Sequence, residues 1–189
     1  MVSVNKALTS LLVSGGVVAY YLTYYQNIAD LTYLSPALVV YCVMDLRNSW
    51  DMVAHHLATI CLNVTFGYVY HNLFRLTLTQ QMAVTAIVEG FFLVEVSTIW
   101  LALLHLGIRH WIIKVGFFTS FAYYRVWNLT KLLWNGYHPD LMDHLCYHST
   151  WCQWTWYVGS MVVMGLNYYW FALICHKLTK RGPKLLRHD

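Results

Sequence analysis

The stretch "WDMVAHHLATICLNVTFGYVY" occupies residues 50–70. A helix needs about 20 mostly apolar residues to cross a bilayer, and this segment meets that length. Its first turns nevertheless carry an acid, Asp51, and two adjacent histidines, His55 and His56. Polar groups are costly in hydrocarbon and mark functional positions in membrane helices. If this segment spans a membrane, its neighbours must span it too, and they must supply partners for these groups.

The rest of the chain agrees with a bilayer. Of its 189 residues, 59% are hydrophobic and only 11% charged, and the mean hydropathy is +0.47. An ordinary soluble domain carries about 25% charged residues. The net charge of +4 is too small for a nucleic-acid surface, and the basic residues sit at segment ends. No internal repeat or Pro/Gly/Ser linker divides the chain, so residues 1–189 read as a single domain.

Six segments have spanning character: 7–25, 31–46, 50–70, 78–104, 111–134 and 154–178. The expected fold is an all-α integral membrane protein, a bundle of six transmembrane helices around a lipid-accessible cavity. The first segment also has the Lys-then-apolar pattern of a signal peptide, but it continues through "YYLTYY" without a small-residue cleavage site, which favours a retained anchor. Lys6, Arg47, Arg109, Lys114, Lys177, Lys180, Arg181, Lys184 and Arg187 fall on one side of this layout. Arg75 and Lys131 fall on the other. Positive loops stay in the cytosol, so both termini are expected there. Cys42, Cys61 and Cys175 lie in apolar segments and read as small core residues. Cys146 and Cys152 lie in the opposite loop, where a lumenal environment would allow a disulfide.

Asp51, His55 and Thr59 share one helical stripe, because positions i and i+4 face the same way. Asp45 ends the preceding segment at the same depth. Glu95 and Thr98, in "EVSTIW", lie in the fourth segment at comparable depth. A pocket holding Asp45, Asp51, His55, His56 and Glu95 follows from depth alone. Arg125 in the fifth segment needs a partner, since an uncompensated guanidinium costs several kcal/mol in hydrocarbon. Glu89 is the expected partner, with Glu95 as its competitor.

A His–His pair near acids admits three readings. An imidazole can serve as general base, or as a nucleophile that carries an acyl group, with Asp51 one turn away to orient it. Histidines can bind metal. The chain has ten, but only one adjacent pair, and "HPDLMDHLCYH" at 138–148 falls on the opposite side of the membrane, which speaks against a di-iron centre. Finally, the rings can be struts that bond to neighbouring helices. No metal or other cofactor is expected.

The order of these features resembles the TLC-domain family, which includes the ceramide synthases. "YCVMD" (41–45), "DMVAHHLAT" (51–59), "VEVSTIWL" (94–101), "FAYYRVW" (121–127) and "LNYYWFALICHKLTK" (166–180) occur in the family's sequence, at span-like separations. The resemblance covers about residues 37–180. It implies a membrane protein that handles lipid. His55 or His56 would carry an acyl group from acyl-CoA, the co-substrate, to a lipid acceptor, and Asp51 would assist. Asp45, Glu95, Thr98 and Arg125 would then line the substrate site. The acidic HDxxD stretch of the ceramide synthases has no counterpart in "RLTLTQQMAVTAIVEG" (75–90), so the chain is closer to family members outside them. These members suggest a non-enzymatic alternative: lipid binding, sensing or trafficking. The expected location is the endoplasmic reticulum or a related endomembrane. The expected ligand is a membrane lipid or acyl chain, and a homodimer is compatible with the chain.

Overall fold

The computed structural model describes residues 4–24, 34–44, 49–71, 76–136, 142, 146 and 149–185. Among them the chain is helical and contains no strand. Helix α1 is Val4–Tyr24, α2 Leu34–Met44 and α3 Trp50–His71. Helices α4 (Leu78–Leu93) and α5 (Glu95–His105) meet at Val94 and form one rod. Helix α6 (Trp111–Ser120), a π-helix (Phe121–Asn128) and α7 (Leu129–Gly136) form a second rod. Helix α8, Thr150–Leu185, closes the described chain.

Local chemistry fixes several of these boundaries. Thr77 and Gln80 form a capping box at the start of α4. The Thr77 hydroxyl accepts from the Gln80 N–H, and the Gln80 side chain accepts from the Thr77 N–H at 2.9 Å. This satisfies N–H groups that the first turn leaves unbonded. The α5–α6 turn is a Schellman closure. The Ile108 N–H donates to Leu103 O and the Gly107 N–H to Leu104 O, with Gly107 at φ +90°. A side chain there would be strained, so glycine is required. Helix α6 then starts behind His110, whose Nδ1 accepts from the Ile112 N–H.

Among the described residues, three helices are long and apolar enough to cross a membrane: Trp50–Val69, the α4–α5 rod over Leu78–His105, and Thr150–Lys180. They coincide with the third, fourth and sixth expected segments. The last is longer than the sequence suggests. Helix α8 starts at Thr150 and has 36 residues, roughly 54 Å at 1.5 Å per residue. That exceeds the ~30 Å hydrocarbon layer. By contrast, α2 covers only 11 described residues, and the second rod carries Lys114, Arg125 and Lys131. Apolar side chains such as Leu12, Val64, Met82, Val115 and Met161 face outward, more apolar surface than a soluble domain tolerates.

The rods touch in a closed order. Helix α1 contacts α2, α2 contacts α3, and α3 lies along α8. Helix α8 contacts the π-helix, the second rod lies along α5, and α5 returns to α1. The α3–α8 seam is antiparallel and aromatic. Trp50 meets Tyr169, His55 meets Trp170, Phe66 meets Trp156 and Tyr68 meets Trp151. Gly159 lets the two helices close up, since a Cβ there would lie 3.0 Å from Leu62 Cγ. Small residues at such contacts are what hold membrane helices together, because lipid offers no hydrophobic drive between them. Beyond the seam, Cys146 and Cys152 are joined by a disulfide, both fully buried.

Candidate functional site

Both rods break regularity at the same place. In the first, the chain tightens at Val94, where the Ser97 N–H donates to Val94 O at 3.1 Å and the Ser97 hydroxyl to the same oxygen at 2.8 Å. In the second, the α-helix widens into the π-helix at Phe121–Asn128. Wide turns of this kind are rare and concentrate at functional positions. Two hydrogen bonds join the irregular turns. Arg125 Nε donates to Ser97 Oγ at 2.6 Å and Arg125 Nη2 to Thr98 Oγ1 at 2.7 Å. The guanidinium also lies over the Phe121 ring, 5.6 Å from its centroid. Arg125 is 9% exposed and Ser97 fully buried.

The expected Glu89–Arg125 ion pair does not form; among the described residues no carboxylate lies within ion-pairing distance of Arg125. From the π-helix the guanidinium bonds to α5 instead. Glu95 is the acid whose field reaches Arg125, but its Oε2 accepts from the Ser14 hydroxyl of α1 at 2.5 Å. Glu89 instead acts on Tyr21 of α1.

The histidines occupy the first turns of α3. His56 is 3% exposed and meets the Tyr41 ring of α2 edge-on at 6.1 Å. The two imidazoles lie 5.6 Å apart. His55 packs against the Trp170 indole at 5.1 Å, and its buried Nδ1 has no hydrogen-bond partner. Asp51 lies one turn from His55, as the i, i+4 spacing requires, but does not bond to it. Its Oδ2 accepts from Trp170 Nε1 at 2.7 Å. The indole stands between carboxylate and imidazole in role: it binds one and packs on the other. Trp170 thus ties Asp51 and His55 together at the start of α3, while Arg125, Ser97 and Thr98 are bonded where α5 meets the π-helix.

Of the expected site residues, Asp51, His55 and His56 therefore lie together in the first turns of α3, Thr98 and Arg125 bond to each other, Glu95 bonds to α1, and Asp45 lies outside the described residues. The sequence reading did not include Trp170, Ser14 or Asn167 in the site. Asn167 of α8 is 1% exposed, and neither its Oδ1 nor its Nδ2 has a hydrogen-bond partner. A lone amide inside an apolar segment was the available signal for it. Among the described residues no group of three His, Cys, Asp or Glu comes together to hold a metal. Outside the interior, an open apolar groove of about 500 Å³ runs between α3 and α8, lined by Ala54, Leu57, Ala58, Cys61, Trp154 and Val158 among others.

Comparison with protein-family models, curated proteins and solved structures finds no match for this chain.

Proposed function

We propose that this chain is a six-span membrane protein of TLC-domain type that takes a lipid into its bundle and transfers an acyl group through His55. The observation that carries this reading is the buried, unbonded Nδ1 of His55, packed edge-on against Trp170 within a largely apolar set of helices. A structural histidine would be expected to bond through that nitrogen to a neighbouring helix. Unbonded, the imidazole can attack the thioester carbonyl of an acyl-CoA. The carbon–sulfur bond breaks, coenzyme A leaves as the thiol after taking up a proton, and the acyl group rests on the ring. An amine or hydroxyl of the lipid acceptor then attacks the acyl carbon, loses its proton and frees the imidazole. The groove between α3 and α8 begins beside Ala54, next to His55, and suits the acyl tail. The basic end of α8 faces the cytosol and the Cys146–Cys152 end the lumen, as disulfides require an oxidising compartment. In that orientation His55 lies near the cytosolic side, where acyl-CoA is supplied, and the oxidising lumen is that of the endoplasmic reticulum or a related endomembrane.

One observation favours the second reading, lipid binding without chemistry. Asp51 is engaged by Trp170, so His55 has no carboxylate bonded to it to orient the ring. The experiment that separates the two is direct. Purified protein is incubated with acyl-CoA and its intact mass measured. The enzyme reading expects a gain of one acyl chain on α3, labile to hydroxylamine, lost in His55→Ala and retained in His56→Ala. Bound lipid without any adduct supports lipid binding alone. Neither adduct nor bound lipid sinks both.

A further inference from the structure

Among the described residues Arg125 brings a positive charge into the bundle with no acid paired to it, and Glu95 acts on it only from a distance while bonded to Ser14. Its guanidinium has five N–H donors. Two are used, both on neutral hydroxyls, Ser97 Oγ and Thr98 Oγ1. Hydroxyls satisfy donors but carry no countercharge, and a buried cation without one is expensive. Among the described residues its one further contact is the face of Phe121, a weak one for a full charge. The hydroxyl bonds fix the guanidinium plane and leave its remaining donors for a further acceptor.

A second, independent observation lies across the interior. Asn167 is 99% buried with both amide atoms unbonded. It sits one turn before Phe171 on α8, and the Phe171 ring stacks on Phe121, centroids 6.5 Å apart and planes within 5°. Phe121 is one turn before Arg125 on the π-helix. Asn167 and Arg125 thus project from the faces that their two elements turn toward each other. One offers a charged fork with donors to spare beyond the two hydroxyls, the other an amide N–H₂ with no acceptor.

We propose that Arg125 and Asn167 form an oxyanion subsite that holds the phosphate or carboxylate of an anionic lipid inside the bundle. This rests on the lipid-handling reading but not on acyl transfer. An oxyanion supplies the missing countercharge and several acceptor lone pairs at once, and a guanidinium matches its geometry. The π-helix has a role in this: without its wider turn, Arg125 would not face Ser97 and Thr98. The bonds to those residues set the fork in place before ligand arrives, which lowers the cost of binding.

The test uses the full chain in phosphatidylcholine nanodiscs, loaded with matched lipid pairs. One pair is a short-chain phosphatidate and the diacylglycerol of the same chains. The other is a long-chain fatty acid and its methyl ester. Lipid retained after exchange into fresh nanodiscs is quantified by mass spectrometry. The expected result is that at least one anion is retained about tenfold or more above its neutral analogue, the scale of one charge-assisted hydrogen bond. Phosphatidate retention identifies a phosphate site, and fatty-acid retention a carboxylate site. Arg125→Gln should abolish the preference, and Asn167→Leu should weaken it. His55→Ala should leave it intact, so loss of acyl transfer and loss of the anion site are told apart. Equal retention of anion and neutral analogue by the unaltered protein overturns the subsite even where Arg125→Gln does not fold. Undiminished anion preference in a folded Arg125→Gln overturns it too. Retention of no lipid of either kind would instead remove the lipid-handling reading beneath it.

Discussion

The two ends of the α3–α8 seam are built by different rules. Toward the disulfide, Leu62 fits against Gly159, Phe66 meets Trp156 edge-on at 5.5 Å, and Leu62 and Trp156 are almost wholly buried. This end is dry, and its side chains are held by close contact. Toward the other end, Asp51 binds the Trp170 indole, His55 leans on the same ring, and Asn167 is buried with its amide unbonded. The same pair of helices is thus held by close apolar and aromatic contacts in one half and carries an acid, an imidazole and an amide in the other. A fold that needed only to cohere would continue the dry pattern along its whole length. The difference marks the polar half as the part kept for something besides stability.

The dry half should respond to loss of volume. Trp156→Ala is expected to destabilise the protein by about 3–5 kcal/mol, the range for emptying a buried aromatic site. The comparison sharpens with Trp156→Phe. The indole Nε1 has no hydrogen-bond partner, so the phenyl ring forfeits no bond and should cost far less than alanine. Unfolding in detergent, monitored by a folding-dependent signal, measures both. A phenylalanine variant as damaged as the alanine one would show that Trp156 acts through its N–H after all.

Gly159→Val comes next, at about 1–3 kcal/mol, from overpacking. The new side chain meets Leu62 Cγ from 3.0 Å and the Ala58 carbonyl from 3.6 Å, so the helices must part. The same assay reads it, and Leu62→Ala in combination should return part of the loss. An additive double variant would mean that the two positions do not share the contact.

Much of this division was legible in the sequence. Low charge and apolar runs of spanning length gave the helices, and the Asp51, His55, Thr59 stripe follows from helical spacing. Residue depth set Glu95 and Thr98 near the histidines, and Arg125 deeper, level with Glu89. Rotation about each helix axis was not legible. A regular 3.6-residue period cannot foresee the π-helix, and so Arg125 was assigned to Glu89 when it turns to Ser97 and Thr98. Trp170 lies 119 residues from Asp51, and no local pattern connects them. The neighbour order of helices around the bundle decides which polar groups meet, and that order comes from packing between distant segments.

The smallest expected effect has the opposite sign, and for that reason separates the two halves most cleanly. Asn167→Leu keeps the side-chain volume and removes two polar atoms that have no partner in the protein. Leaving such groups buried costs about 1–3 kcal/mol, so in delipidated protein the substitution should raise stability, by about 1 kcal/mol once imperfect packing of the leucine is allowed for. In the dry half the buried polar groups without a partner are smaller, the Trp156 N–H and the Ser160 hydroxyl, so a comparable substitution there gains less. With phosphatidate or fatty acid bound, the native protein should gain stability from the ligand, as anything that binds only the folded state does. Asn167→Leu should gain less. The pair of unfolding curves, with and without the anion, therefore crosses between native and variant: the variant is the more stable protein empty and loses that advantage loaded. If Asn167→Leu is instead destabilising in the delipidated state, the amide already has a partner there, and the polar half is a structural network in the same sense as the dry one.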